Sequence, residues 1–337
     1  MKETVLLTGI SGYIGLHCAA ELLNQGYKVR GSLRDLAKMD EVLDALKGAA
    51  VDTSLLEFVA LDLLQDKGWV EAAHGATYLM HVASPFVVAN PKNEDEMIKP
   101  AVDGTLRAMR AAQMAGVKRV VLTSSIVAMM GAKTHGTFGP DDWTPTNTSS
   151  VSTYSKSKTL AEQAAWDFIK DAHREDDAAE LVCVNPGGVF GPPLGNNISG
   201  QSMSMVSQML AGKLPMVPNI SFPMVDVRDV AQIHVKAMTH PEAAGLRIIT
   251  SQAEGTSFSS IAQILIEQGY KGPSSRVAPS LLLKLVSLFD REAQGLKGWL
   301  DMNVDADNSK TVTLFDWTPR PFKECVIETA EAVSKLS

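Results

Sequence analysis

At 337 residues, with 45% hydrophobic and 20% charged residues, the chain has the make-up of a globular protein that can bury a large core and divide into two lobes. A formal charge of -7 and a pI near 5.5 argue against nucleic acid or an anionic membrane as the main partner and favour a small molecule. Cys18, Cys183 and Cys325 are odd in number and widely spaced, so they read as core thiols, and neither a disulfide framework nor a metal site is expected.

The opening run, Glu3 to Thr8, reads as a short buried strand, too brief and too soon interrupted by glycine for a secretory signal. The longest greasy stretch, Ser280 to Phe289, is broken by Lys284 and falls far short of the ~20 residues that span a bilayer, so a cytoplasmic protein without membrane contact is expected. After the first strand come Gly9-Ile10-Ser11-Gly12-Tyr13-Ile14-Gly15 and a helical run from Leu16 to Asn24. Strand, glycine turn and helix in this order suit a dinucleotide. Gly9 permits the turn, Gly12 lets the backbone approach a pyrophosphate, Gly15 lets helix and strand pack, and the helix N-terminus faces the phosphates.

The next strand, Tyr27 to Leu33, ends where a carboxylate commonly receives the ribose 2′-hydroxyl. Here Arg34 follows, with Lys38 one turn on, and a guanidinium suits a 2′-phosphate, which points to NADP(H) rather than NAD(H). The bland reading of Arg34 is a solvated surface arginine. Leu55 to Ala60 leads to Asp62-Leu63, where a loop carboxylate is within reach of an adenine amino group. Thr77 to Val82 leads to Ala83-Ser84-Pro85-Phe86, and His81 in it lacks a second metal ligand and reads as a packed histidine. A helix from about Asn93 to Ala115 precedes the strand Arg119 to Thr123. These repeated βα units predict an α/β fold, a doubly wound parallel sheet with ligands at the carboxyl ends of its strands.

Ser124-Ser125 and a long loop, Gly131 to Ser150, separate that strand from a helix opening on Tyr154-Ser155-Lys156-Ser157-Lys158. Positions i and i+4 share a helix face, so Lys158 sits beneath Tyr154 and is expected to lower the phenol's pKa toward a useful general acid/base. A serine at the strand end and this pair can converge on one carbonyl oxygen. Beyond Pro192 the pattern loosens. The methionine-rich helix Ser202 to Leu210 reads as core more than pocket, Trp299 as a packed aromatic, and Asp301, Asp305 and Asp307 as a solvated loop.

In order, Thr8-Gly9-Ile10-Ser11-Gly12-Tyr13-Ile14-Gly15, Val29 to Asp35, His81 to Phe86, Leu122-Thr123-Ser124-Ser125, Tyr154-x-x-x-Lys158, Asn185 to Pro192 and Val225 to Ala231 make the chain similar to the extended short-chain dehydrogenase/reductases. Within them it most resembles the branch of dihydroflavonol reductase, cinnamoyl-CoA reductase and the methylglyoxal/isovaleraldehyde reductases. The resemblance covers nearly the whole chain. It implies a catalytic set of Ser125, rather than Ser124, with Tyr154 as proton donor and Lys158 tuning it and holding the nicotinamide ribose. It also implies a cofactor site drawn from Thr8, Gly9, Ser11, Gly12, Tyr13, Ile14, Gly15, Arg34, Lys38, Asp62, Leu63, Ala83, Thr123, Pro186, Gly187 and Val189. Residues 1-191 with about 225-250 are expected to form the Rossmann domain, and 192-224 with 251-337 the smaller substrate lobe. The implied reaction is NADPH-dependent reduction of an aryl or alkyl aldehyde or ketone in a monomer or homodimer, with Ser84, Phe86, Met130 and Met224 lining the pocket.

The same scaffold serves sugar-nucleotide epimerases and dehydratases, whose Arg-Tyr-Phe-Asn type of segment is replaced here by Val184-Asn185-Pro186-Gly187-Gly188, and Ile126-Val127 stand where dehydratases carry an Asp-Glu pair. A hydroxysteroid dehydrogenase uses the same three residues with NAD as oxidant. Regulators that sense NADP(H) without chemistry commonly lose the Tyr/Lys pair, which this chain keeps.

Overall fold

Thr4–Thr8, the first strand (β1), enters the glycine turn that positions everything around it. In the computed structural model, which describes residues 2–85, 91–172, 179–196, 198 and 200–336, the turn closes through the Gly12 N–H to the Gly9 carbonyl at 3.0 Å. Gly12 then caps the helix Tyr13–Asn24, so the helix starts three residues earlier than periodicity suggests. Gly15 can sit inside it because a methyl group there would drive into the Gly9 carbonyl oxygen.

The strands that follow are β2 (Lys28–Leu33), β3 (Leu56–Ala60), β4 (Tyr78–His81), β5 (Arg119–Thr123), β6 (His135–Phe138), β7 (Glu180–Pro186), β8 (Gly188–Phe190), β9 (Ile220–Asp226), β10 (Arg247–Thr250), β11 (Gly255–Ser257) and β12 (Met302–Ala306). Seven of them form one sheet in the order β10-β7-β5-β4-β1-β2-β3, and each neighbouring pair is parallel. This is the doubly wound sheet expected from the alternation, with the order reversing between β1 and β4, where such sheets open a ligand crevice. Alternate residues of β1 face opposite sides: Val5 and Leu7 enter the core on one face and Leu6 the core on the other.

A second sheet, β11-β9-β12-β6 with β8 beside β9, carries a separate core containing Met130, Met203, Met209, Met224 and Phe138. Three expectations change here. The loop from Gly131 to Ser150 contains β6, which pairs in parallel with β12, His135 lying opposite Asn303, 168 residues further along, a partner no local pattern reveals. Val225 and Asp226 end β9 in the second sheet, so the return to the main sheet is made by β10, with the helix Val227–Thr239 between them. Asp305 lies on β12 and accepts the Gly255 N–H at 2.8 Å instead of sitting in a solvated loop. The readings of Trp299 and the cysteines hold: Trp299 meets Phe222 edge-on with ring centroids 6.0 Å apart, and all three cysteines are buried thiols. Among the described residues no helix is long and apolar enough to cross a membrane.

Candidate active site

At the reversal point Gly9 has φ +71°, and a Cβ there would come within 2.8 Å of the Ala83 Cα, so the turn and the end of β4 are in backbone contact. The registers explain the next layer. Thr8 lies opposite His81, and its Oγ1 stands 2.9 Å from His81 Nδ1 while accepting the Ala83 N–H at 3.1 Å. His81 is the packed histidine expected, and burial, with the Lys158 charge second, lowers its pKa to about 3.

The helix Tyr13–Asn24 has its first ladder bond from the Leu16 N–H to the Gly12 carbonyl, which leaves the amides of Tyr13, Ile14 and Gly15 ahead of the ladder, aimed at the crevice. Gly12 is exposed, Ser11 half-buried beside it, and the Tyr13 hydroxyl donates to the Gly191 carbonyl at 2.7 Å, tying this turn to the segment after β8. These features fit a pyrophosphate: open backbone, free amides and the positive end of a helix. Arg34 and Lys38 stand exposed at the end of β2, and Arg34 has no ion-pair or hydrogen-bond partner among the described residues. Asp62 is engaged in its own turn, accepting the Leu64 N–H at 2.9 Å, and Leu63 packs over Gly104.

β5 runs to Thr123, whose hydroxyl lies 2.7 Å from His234 Nε2 beneath the sheet edge. The two serines after it point apart, as successive residues of an extended chain do. Ser124 Oγ donates into the buried Glu162 carboxylate at 2.5 Å, whereas the Ser125 side chain lies on the Tyr154 side and acts to lower that phenol's pKa. The helix Thr153–Ala172 presents Tyr154 and, one turn on, buried Lys158, which lines a small cavity with His81, Ser84 and Thr123. One expectation is corrected: burial dominates and lifts Tyr154 to about 12, with Ser125 opposing it, while burial draws Lys158 down to about 8. Desolvation penalises both charged forms, so the ammonium does not bring the phenol toward neutrality here.

Pro186, Gly187 and Val189 line the other rim. The Pro186 carbonyl accepts the Ile126 N–H at 3.0 Å, which fixes the chain just beyond Ser125, and the Gly187 N–H donates to Thr250 at 3.0 Å. Val189 pairs with Val225 on β9. Ser84 is at the site, Phe86 lies outside the described residues, and Met130 and Met224 are 0% and 1% exposed within the second core, behind any surface open to a ligand. Sequence reasoning passed over Glu162, Asn185 and Arg247, which form a buried cluster under Ser125. The four-residue step from Lys158 to Glu162 was the one local sign of it.

The sequence profile of the NAD dependent epimerase/dehydratase family matches residues 5–249. The chain belongs to this family. As an extended short-chain dehydrogenase/reductase it is 32% identical, over 97% of its own length and 96% of the other's, to a ketoreductase of Aspergillus niger. It is 31% identical to the NADPH-dependent methylglyoxal reductase of Saccharomyces cerevisiae, over 75% of this chain and 79% of the relative. The solved structure of yeast methylglyoxal/isovaleraldehyde reductase complexed with NADPH superposes with a TM-score of 0.82 at 26% identity, covering 98% of both chains. Membership, fold and the relatives' chemistry make this reductase-like chain an oxidoreductase.

Proposed function

We propose that the protein binds NADP(H) across the β1/β4 crevice and reduces a small aldehyde or ketone to the alcohol, with Tyr154 as the proton donor. The observation that carries this reading is the convergence of Ser125 and Tyr154, one helical turn from buried Lys158, at the carboxyl edge of the parallel sheet. When bound, the nicotinamide supplies the hydride that the carbonyl carbon takes up. Ser125 and Tyr154 then present two hydroxyl donors to one oxygen, where negative charge develops, and oriented donors of this kind lower such barriers. With its pKa at about 12, Tyr154 is fully protonated near neutrality. An alkoxide whose conjugate acid titrates near that of water, about 15.7, takes its proton downhill.

Lys158, buried one turn from Tyr154 and an ammonium below about 8, holds the ribose hydroxyls in this reading. Arg34, exposed at the end of β2 and unpaired among the described residues, receives the 2′-phosphate in this reading. NADPH use by the similar yeast enzymes supports the cofactor, and their methylglyoxal and isovaleraldehyde substrates support small carbonyl compounds as the substrate class. NADPH consumption at 340 nm against methylglyoxal, isovaleraldehyde and aryl ketones tests the reading. Tyr154→Phe is expected to abolish turnover with NADPH affinity within about threefold of wild type. A phenylalanine variant that turns over normally refutes the proton donor, and tight NADPH binding without turnover of any carbonyl favours a cofactor sensor.

A further inference from the structure

Glu162 stands one turn beyond Lys158 on the helix Thr153–Ala172, so the two side chains share a face, yet the proton transfer above makes no use of it. It is 1% exposed. Its carboxylate accepts hydrogen bonds from Ser124 Oγ at 2.5 Å, Asn185 Nδ2 at 2.9 Å, Arg247 Nε at 2.5 Å and Trp166 Nε1 at 3.3 Å. Asn185 Nδ2 also donates to the Ser125 carbonyl at 3.2 Å, so one amide joins Glu162 to the residue that touches Tyr154. Arg247 is held from its far side by the Pro140 and Asp142 carbonyls, at 2.8 and 2.6 Å, and lies over the Trp143 ring at 3.7 Å. Lys158 and Glu162 both line a cavity of about 10 Å³, walled also by His81, Thr105 and Ser124.

A buried ion pair contributes little net stability, because desolvation offsets its attraction. Arg247 alone would balance Glu162. Charge balance of that pair requires neither the Ser124 hydroxyl, nor the amide bridge to Ser125, nor a lysine one turn away. We propose that Glu162 is a positioning residue of the active site, whose carboxylate is the counter-charge to Lys158 in their shared cavity and, through Ser124 and Asn185, fixes the strand end that presents Ser125. The proposal rests on the reading of Lys158 and Ser125 given above.

The charges around Lys158 are consistent with that role. Burial lowers its pKa and Glu162 opposes the shift. His81 on β4 is neutral above about 3, Tyr154 keeps its proton to about 12, and burial raises the Cys183 thiol on β7. Arg247 on β10 adds positive charge behind Glu162, and the helix Asp95–Met114 brings the uncharged Thr105 to the cavity. Of these groups Glu162 is the one that favours the ammonium.

The test measures NADPH affinity by fluorescence from pH 6.5 to 9.5 in the full chain, in Glu162→Gln, and in Glu162→Gln/Arg247→Met, which removes both partners and leaves no lone guanidinium buried. Wild type is expected to lose affinity above an apparent pKa near 8. Glu162→Gln is expected to lose it about one pH unit lower, which makes binding about fivefold weaker than wild type at pH 8 but within about threefold at pH 6.5, and the double variant, which also removes the Arg247 charge, is expected to shift in the same direction by less. Glu162→Asp restores part of the shift. A limb at the same pH in all three proteins, no limb in wild type, an equal loss at every pH, or failure of both variants to fold overturns the proposal, the last two by assigning the cluster to stability. Because cofactor binding is the readout, wild-type protein that reduces no carbonyl sinks the proposed function alone, and an unmoved limb beside an inactive Tyr154→Phe sinks the role of Glu162 alone.

Discussion

Acidification to pH 5.5 should cost this protein about 4 kcal/mol of stability through three histidines packed around the cofactor crevice. His17 on the first helix, His81 at the end of β4 and His234 under Thr123 are 6%, 2% and 0% exposed. Burial is the leading cause in each case and lowers their pKa values to about 4, about 3 and about 4. In the unfolded chain each titrates near 6.5, so between that value and its folded value the unfolded state holds more protons. Stability is therefore complete above about pH 6.5 and falls as pH drops toward 4. At pH 5.5 one full unit of the window has been crossed, worth about 1.4 kcal/mol per histidine, and carboxylates of ordinary pKa still titrate below it. A total near 4 kcal/mol is a large share of the 5–15 kcal/mol typical of a folded domain. Urea unfolding followed by tryptophan fluorescence at pH 7.5, 6.5 and 5.5, at constant ionic strength, reads the loss as a falling midpoint with an unchanged slope. His234→Gln, which cannot titrate, should remove about a third of the pH dependence. A stability that stays within about 1 kcal/mol from pH 7.5 to 5.5 would refute the reasoning, since it would mean these rings accept protons in place.

Two further outcomes follow from the site. Arg34→Ala should weaken NADPH binding about 10- to 100-fold, the worth of one charged hydrogen-bonding group, and leave NADH binding nearly unchanged; equal effects on both cofactors in paired titrations would return Arg34 to a plain surface role. Ser125→Ala should lower kcat with little change in NADPH affinity, whereas Ser124→Ala should lower thermal stability by roughly 1–3 kcal/mol through a weakened Glu162 cluster. Reversal of those two phenotypes, in steady-state kinetics and thermal melts, would exchange the roles of the serines.

Much of this site is written in neighbouring residues. The glycine turn, the strand before it and the helix after it depend on contacts a few positions apart, and the Tyr154 to Lys158 step is a property of helical pitch, so each could be read directly. The parallel sheet likewise follows from the alternation of short apolar strands and amphipathic helices. The choice between Ser124 and Ser125 was tertiary, because it depends on which side of β5 holds Glu162 and which holds Tyr154. So were β6, whose strand partner β12 is supplied by the far end of the chain, and the burial of Met130 and Met224, hydrophobic residues that local pattern cannot divide between pocket wall and core.

The sequence by itself determined which chemistry was on offer: a backbone cradle for a dinucleotide, a phenol and an amine on one helix face, and a serine nearby. The tertiary structure alone decided how those groups are poised. Desolvation, which depends on every atom packed around a group and not on its neighbours in the chain, lifts the Tyr154 phenol to about 12 instead of bringing it toward neutrality. It also brings Lys158 to about 8, against the pull of a carboxylate that Arg247, 85 residues further along, holds in place.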